Sequence, residues 1–170
     1  INDNDDAPTI DFNTTNSSGV ESVSSAGLRV DLSGASSKNI TVDYVVTGSA
    51  IGSGTDYTFS NGTLTINAGE TSGTIRIDNI VDDSFYEPNE TIIVTLSNPS
   101  NATLGNENVH TYTITDNDSE PVVEFDIKSS SGAESVSSKT ISVGLSSVSG
   151  QNVTVDYAVS GTATGSGTDH

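Results

Sequence analysis

Cysteine, methionine and tryptophan are absent from the 170-residue sequence, and lysine and arginine together number five against 23 aspartate and glutamate residues. Without cysteine the chain has no disulfide staple, no thiolate metal ligand and no thiol nucleophile. Five scattered basic residues cannot neutralise a run of phosphates, which excludes a nucleic-acid partner. No apolar run approaches the roughly 20 residues of a membrane span, so no membrane insertion is expected in this segment, and no basic-then-apolar leader is seen. Ile1 and His170 both fall inside recurring patterns. The sequence therefore reads as an excerpt of a longer chain, with targeting signals free to lie elsewhere.

What the sequence has in quantity is acid. The net charge of −18 exceeds what solubility asks of a domain this size, and cations are its natural partners. Small domains without staples often use a metal instead.

The chain also repeats itself. A shift of 113 residues aligns 1–57 with 114–170 without a gap, with 31 of 57 pairs identical. SGVESVSS at 18–25 returns as SGAESVSS at 131–138, and NITVDYVVTGSAIGSGTD at 39–56 returns as NVTVDYAVSGTATGSGTD at 152–169. Each unit closes on DND, at 3–5 and at 116–118. Three segments follow: 1–5 as the end of a preceding repeat, 6–118 as a complete unit, and 119–170 as the N-terminal half of the next.

Within 6–118 the apolar residues alternate with period two, as half-buried strands require. Leu28, Val30 and Leu32 form one set, and Ile40, Val42, Tyr44 and Val46 the next. Leu64 and Ile66, Ile75 and Ile77, Ile92, Val94 and Leu96, and Tyr112 and Ile114 continue it. SNG (60–62), NAGE (67–70) and SNPSN (97–101) read as the turns between strands. No window holds a 3.6-residue period. The expectation is an all-β, antiparallel, immunoglobulin-like sandwich of about seven strands, repeated in tandem. The sparse aromatic residues fit inward-facing positions, and His110 fits an ordinary strand position.

Eight acidic residues of this unit fall at loops or strand ends: Glu21, Asp56, Asp82, Asp83, Glu87, Glu90, Asp116 and Asp118. In a sandwich these loops can meet at one pole, where unneutralised carboxylates would repel. Hard oxygen ligands in that number suit Ca²⁺, which takes six to eight oxygens in flexible geometry, better than Mg²⁺ or Zn²⁺. Two competing motifs are weaker. DND opens like an EF-hand loop but lacks its glycine and distal glutamate. GSGTD lacks the lysine and following helix of a phosphate loop, and tight-turn glycines explain it better. Taken one at a time, loop carboxylates are usually solvated.

The succession ITVDYVVTGSAIGSGTDY, then GTLTINAGETSGTIRIDNIVDDSFYEPNETIIVTLSNPSNATLG, then TYTITDND resembles a Calx-beta domain across the whole complete unit, and 114–170 resembles the first half of another. The resemblance implies a seven-stranded sandwich that binds Ca²⁺ at one end. It makes Glu21, Asp56, Asp82, Asp83, Glu87, Asp116 and Asp118 ligands, with Glu90 a ligand or a support. Asn117 stands where some relatives carry an acid, which lowers the charge; its carbonyl is a further candidate ligand. By repetition, Glu134 and Asp169 belong to an incomplete second site, and Asp3 and Asp5 to the end of a preceding one. His170 replaces the tyrosine expected there.

Catalysis is not expected, because paired carboxylates serve as acid and base only when one stays protonated, and a shared cation keeps both ionised. The leading expectation is a Ca²⁺-stiffened structural repeat of a secreted or cell-surface adhesin, fibre or matrix protein of a microbe, with adjacent repeats and other fibre copies as partners. A recognition module for a glycan or protein is the alternative, marked by an exposed aromatic platform beside the ion. An intracellular Ca²⁺ sensor is a third reading, disfavoured by the near-identical repeats. Lacking the second half of the fold, residues 119–170 are expected to need neighbouring polypeptide to cover their apolar face.

Overall fold

The computed structural model describes residues 6–163, which fall into two compact units: 6–83 with 88–117, and 84–87 with 118–163. Asp3, Asp5, Asp169 and His170 lie outside the described residues.

The first unit is a two-sheet sandwich built from β1 (Thr9–Phe12), β2 (Asn16–Val20), β3 (Ser25–Leu32), β4 (Ile40–Gly48), β5 (Gly62–Ile66), β6 (Ser72–Asp78), β7 (Glu90–Ser100), β8 (Thr103–Leu104) and β9 (Val109–Thr115). One sheet has the order β6-β3-β1-β8 and the other β2-β9-β7-β4-β5. There is no helix among the described residues, and none long and apolar enough to cross a membrane.

The alternation has the predicted outcome. Ile10, Leu28, Val30, Ile75 and Ile77 from one sheet meet Ile40, Val42, Ile66, Ile92, Val94, Leu96, Tyr112 and Ile114 from the other, all buried. Each fully buried aliphatic side chain contributes about 1.5–3 kcal/mol.

Three details differ from the sequence reading. Nine strand segments appear where about seven were expected. The N-terminal strand is split, with β1 in the first sheet and β2 in the second, and the two-residue β8 is added. Two pairings, β1 with β8 and β2 with β9, are parallel. SNPSN is no simple turn, because β7 continues to Ser100. The pairing of β4 with β7 slips between Thr41 and Asp43, and the chain turns with Asn98 and Asn101 at φ of 49° and 59°. Asparagine tolerates that left-handed backbone, so the signal was answered first by a bulge.

Burial raises the phenol pKa of Tyr112 above its ordinary 10.0, and does the same at Tyr57, where the Asp56 carboxylate adds to it. In the unfolded chain both phenols ionise near 10, whereas in the fold they hold their protons longer. The stabilisation is therefore complete below that pH and is lost as pH rises past about 10. Melting followed across this range should show the midpoint falling, and ultraviolet titration should show late-ionising tyrosines. A melting temperature flat through the tyrosine range would contradict this.

In the second unit only β10 (Val123–Phe125) and β11 (Val143–Leu145) form among the described residues. They pair Val123 with Leu145 and Phe125 with Val143. Shifted by 113 residues, this is the register of β1 on β3, Ile10 with Leu32 and Phe12 with Val30. Residues 153–161, which repeat β4, form no strand. Ile141, Val143, Val153 and Val155 are exposed, although their counterparts Leu28, Val30, Ile40 and Val42 form the first unit's core. A lone pair of strands buries too little to hold more structure than this. Phe85, Phe125 and Tyr157 are exposed too, contrary to the inward placement expected of the aromatic residues.

Candidate metal centre

The site stands where β2 and β9 end. β2 lies parallel to β9 in the register Asn16 with Thr111 through Val20 with Thr115, so the residue after each strand, Glu21 and Asp116, arrives side by side. The Glu21 N–H donates to the Thr115 carbonyl at 3.1 Å, and the Thr115 hydroxyl to the Gly19 carbonyl at 2.9 Å. Glu21, Asp116 and Asp118 each offer a carboxylate oxygen, and these oxygens lie within 4.8 Å of one another. Glu21 is the buried acidic residue of the group, at 7 % exposure.

Neighbouring loops are tied to the same end. The Ile80 N–H donates to the Ser24 carbonyl at 3.1 Å, and the Val81 N–H to the Asp56 carbonyl at 2.9 Å. The Asp56 carboxylate in turn accepts the Ile51 N–H at 2.5 Å, closing the GSGT turn in which Ser53 and Gly54 take positive φ. The glycine of GSGTD is thus a turn residue. Asn117 joins two predicted ligands: its side-chain amide donates to Asp82 Oδ1 at 2.8 Å and its backbone N–H to Glu21 Oε1 at 3.4 Å. An aspartate at 117 would set a carboxylate against Asp82. The asparagine supplies a donor there instead. The Asp116 N–H donates to Asn89 Oδ1 at 3.3 Å, fixing the loop that precedes β7.

Glu21, Asp116 and Asp118 are the predicted ligands brought together as a group, with Asp82 and Asn117 attached by hydrogen bonds. Asp56 sits on the adjoining turn, and Asp83 is exposed on the following loop. Glu90 opens β7 opposite Ile114, and Glu87 falls in the second unit. Glu134 is exposed in an irregular stretch of that unit. None of these five joins the group.

Three carboxylates at this spacing, one of them buried, form an all-oxygen donor set with no nitrogen or sulfur, which fits a hard divalent cation and does not fit zinc. Buried carboxylates need such a partner because an uncompensated charge out of water is costly.

Sandwich and carboxylate pole together define a β-sandwich module with an acidic group that could hold a metal ion. The Calx-beta domain model matches residues 3–118 and again 116–170, and the chain belongs to that family. It is 32% identical over 147 residues to sodium/calcium exchanger 1 of Rattus norvegicus, covering 75% of this chain and 15% of the exchanger. It is 30% identical over 155 residues to sodium/calcium exchanger 3 of Homo sapiens, covering 78% of this chain and 17% of that protein. The chain thus spans only about a sixth of these relatives. Among solved structures, the apo-form Calx CBD1 domain superposes with a TM-score of 0.60 at 25% identity, over 66% of this chain and all of that one. CBD12 from CALX1.2 does so with the same score and identity, over 70% of this chain and 48% of that one.

Proposed function

We propose that the chain binds Ca²⁺ through Glu21, Asp116 and Asp118, with Asp82, Asp56, Asp83, Glu87 and Glu90 as further candidate donors. The observation that carries this is the grouping of three carboxylates, one buried, at the shared end of β2 and β9. A bound cation would offset much of the charge at the pole and cross-link the ends of two strands that lie far apart in sequence. It would also grip Asp116 and Asp118 at the close of one repeat, immediately before the next begins.

In this reading the chain is a stiffening repeat, and calcium is a structural ligand rather than a reagent. The gap-free recurrence of the sequence supports an array of such units in a secreted or cell-surface adhesin, fibre or matrix protein, where millimolar Ca²⁺ fills even a moderate site. Similarity to sodium/calcium exchangers supports a second reading, a Ca²⁺ sensor, which would show submicromolar affinity and a large conformational response.

Calorimetric titration of the 170-residue chain with Ca²⁺ tests the proposal. The expected result is saturable binding with a dissociation constant in the micromolar to millimolar range. Absence of binding at millimolar Ca²⁺ would sink it.

A further inference from the structure

The strand that delivers Glu21 has no apolar face to hold it in place. β2 reads NSSGV, and every residue of it except Gly19 is exposed. Strands of that kind specify their register weakly, and a slip of one residue sends each side chain to the opposite face. The approach of Glu21 to Asp116 nevertheless depends on one register of β2 on β9.

Two contacts supply what the pattern lacks. Towards the end of β2, Gly19 passes beside the Tyr112 hydroxyl so closely that a Cβ there would collide with it, so any other residue of β2 in that place would have to push the buried Tyr112 side chain aside. At the start of β2 stands His110, the buried histidine of β9, at 2 % exposure. Its Nδ1 lies 2.6 Å from the Thr14 carbonyl and its Nε2 lies 2.8 Å from the Ser17 hydroxyl. A carbonyl only accepts, so Nδ1 carries a proton, and in the neutral ring Nε2 then accepts from Ser17. The ring also packs on Phe12, the last residue of β1, with centroids 5.4 Å apart. One side chain therefore grips the chain on both sides of its passage from one sheet to the other.

We propose that His110 is a positioning residue for Glu21: by binding Thr14 and Ser17 it sets the register of β2 on β9, and so places the Glu21 carboxylate at the metal centre. The inference rests on the calcium reading for its purpose, while the clamp itself is a property of the metal-free chain.

The test uses the full chain and three variants. His110→Phe keeps the ring against Phe12 and removes both hydrogen bonds. Without calcium, hydrogen exchange of the 16–20 amides should then quicken at least about tenfold while the 92–96 amides of β7 stay protected. Unchanged exchange at 16–20 would overturn the clamp whatever calcium does. With calcium, the dissociation constant should rise about tenfold in His110→Phe. In a Glu21→Gln background the same substitution should change it by less than about twofold, since the two act as one. Equal factors in both backgrounds, or no loss of affinity in His110→Phe alone, would refute the positioning role. His110→Asn, whose amide N–H replaces Nδ1–H towards Thr14, should recover most of the affinity, and it serves where the phenylalanine variant fails to fold. Faster exchange at 16–20 in a chain whose wild type binds no Ca²⁺ would leave the clamp standing and remove both the calcium reading and the role assigned here.

Discussion

With Asp116 and Asp118 both replaced by asparagine, the 170-residue chain should no longer gain thermal stability from Ca²⁺, while its melting temperature without calcium stays equal or rises. The gain lost follows from linkage. A ligand that binds only the folded state at a hundredfold excess over its dissociation constant adds about 2.7 kcal/mol. In a sandwich of this size that is roughly 10 °C of melting temperature. The two aspartates make up two of the three grouped carboxylates, and Glu21 alone cannot hold a cation that seeks six or more oxygens. The second half of the expectation comes from the chain's own charge. At −18 overall, two fewer negative groups beside the buried Glu21 relieve repulsion in the metal-free state. Differential scanning calorimetry with calcium and with chelator reads both effects. A variant that keeps the full calcium-dependent rise would show that the ligands lie elsewhere, and a sharp fall in the chelated midpoint would show that the aspartates serve the fold rather than the ion.

An equally large effect is expected where β4 ends beside β7. Gly48 closes β4 with φ at +138°, opposite Ile92 of β7, and a Cβ there would collide with the Thr91 carbonyl oxygen. The obstacle is backbone, and it cannot retreat. The same carbonyl accepts the Ala50 N–H at 3.1 Å, the Thr91 N–H donates to the Ser49 hydroxyl at 2.9 Å, and Ile92 beside it is fully buried. Gly48→Ala must therefore either break the end of the pairing between β4 and β7 or hold an alanine in a backbone region it strongly disfavours. Together these cost about 3–5 kcal/mol, a large share of the roughly 5–15 kcal/mol that stabilises a domain. Gly34→Ala is the control, since a Cβ at Gly34 meets nothing within 4 Å. It should be neutral, or stabilising by about 0.4–1 kcal/mol. Urea midpoints compare the two, and a Gly48→Ala chain as stable as Gly34→Ala would be inconsistent with the packing described.

The strands with an apolar face were visible in the sequence because burial leaves a period-two record, and Leu28 to Leu32 or Ile92 to Leu96 could hardly be read otherwise. β2 left no such record. Its placement depends on hydrogen bonds and on a missing side chain at Gly19, which alternation does not report. The acidic residues were visible as a set, but their division was not. Glu21, Asp116 and Asp118 meet because β2 and β9 run parallel, and a parallel pairing between strands about 90 residues apart cannot be inferred from local pattern. Asn117 read as a deficit of charge, whereas in three dimensions its amide is a donor to Asp82. His110 read as an ordinary strand residue because its polar partners, Thr14 and Ser17, lie more than 90 residues away. One signal was available: in VHTYTIT it shares the parity of Tyr112 and Ile114, which points a polar ring inward.

The parallel pairing of β2 and β9 also decides how the first unit answers a pull. The chain enters through β1 and leaves beyond the end of β9, so once β1 has yielded, tension drags β2 backwards and β9 forwards along their common direction. The five residue pairs between them are then loaded together, in shear, instead of being unzipped one after another. A cation held by Glu21 and Asp116 would stand across the leading edge of that seam, where the first slip has to begin.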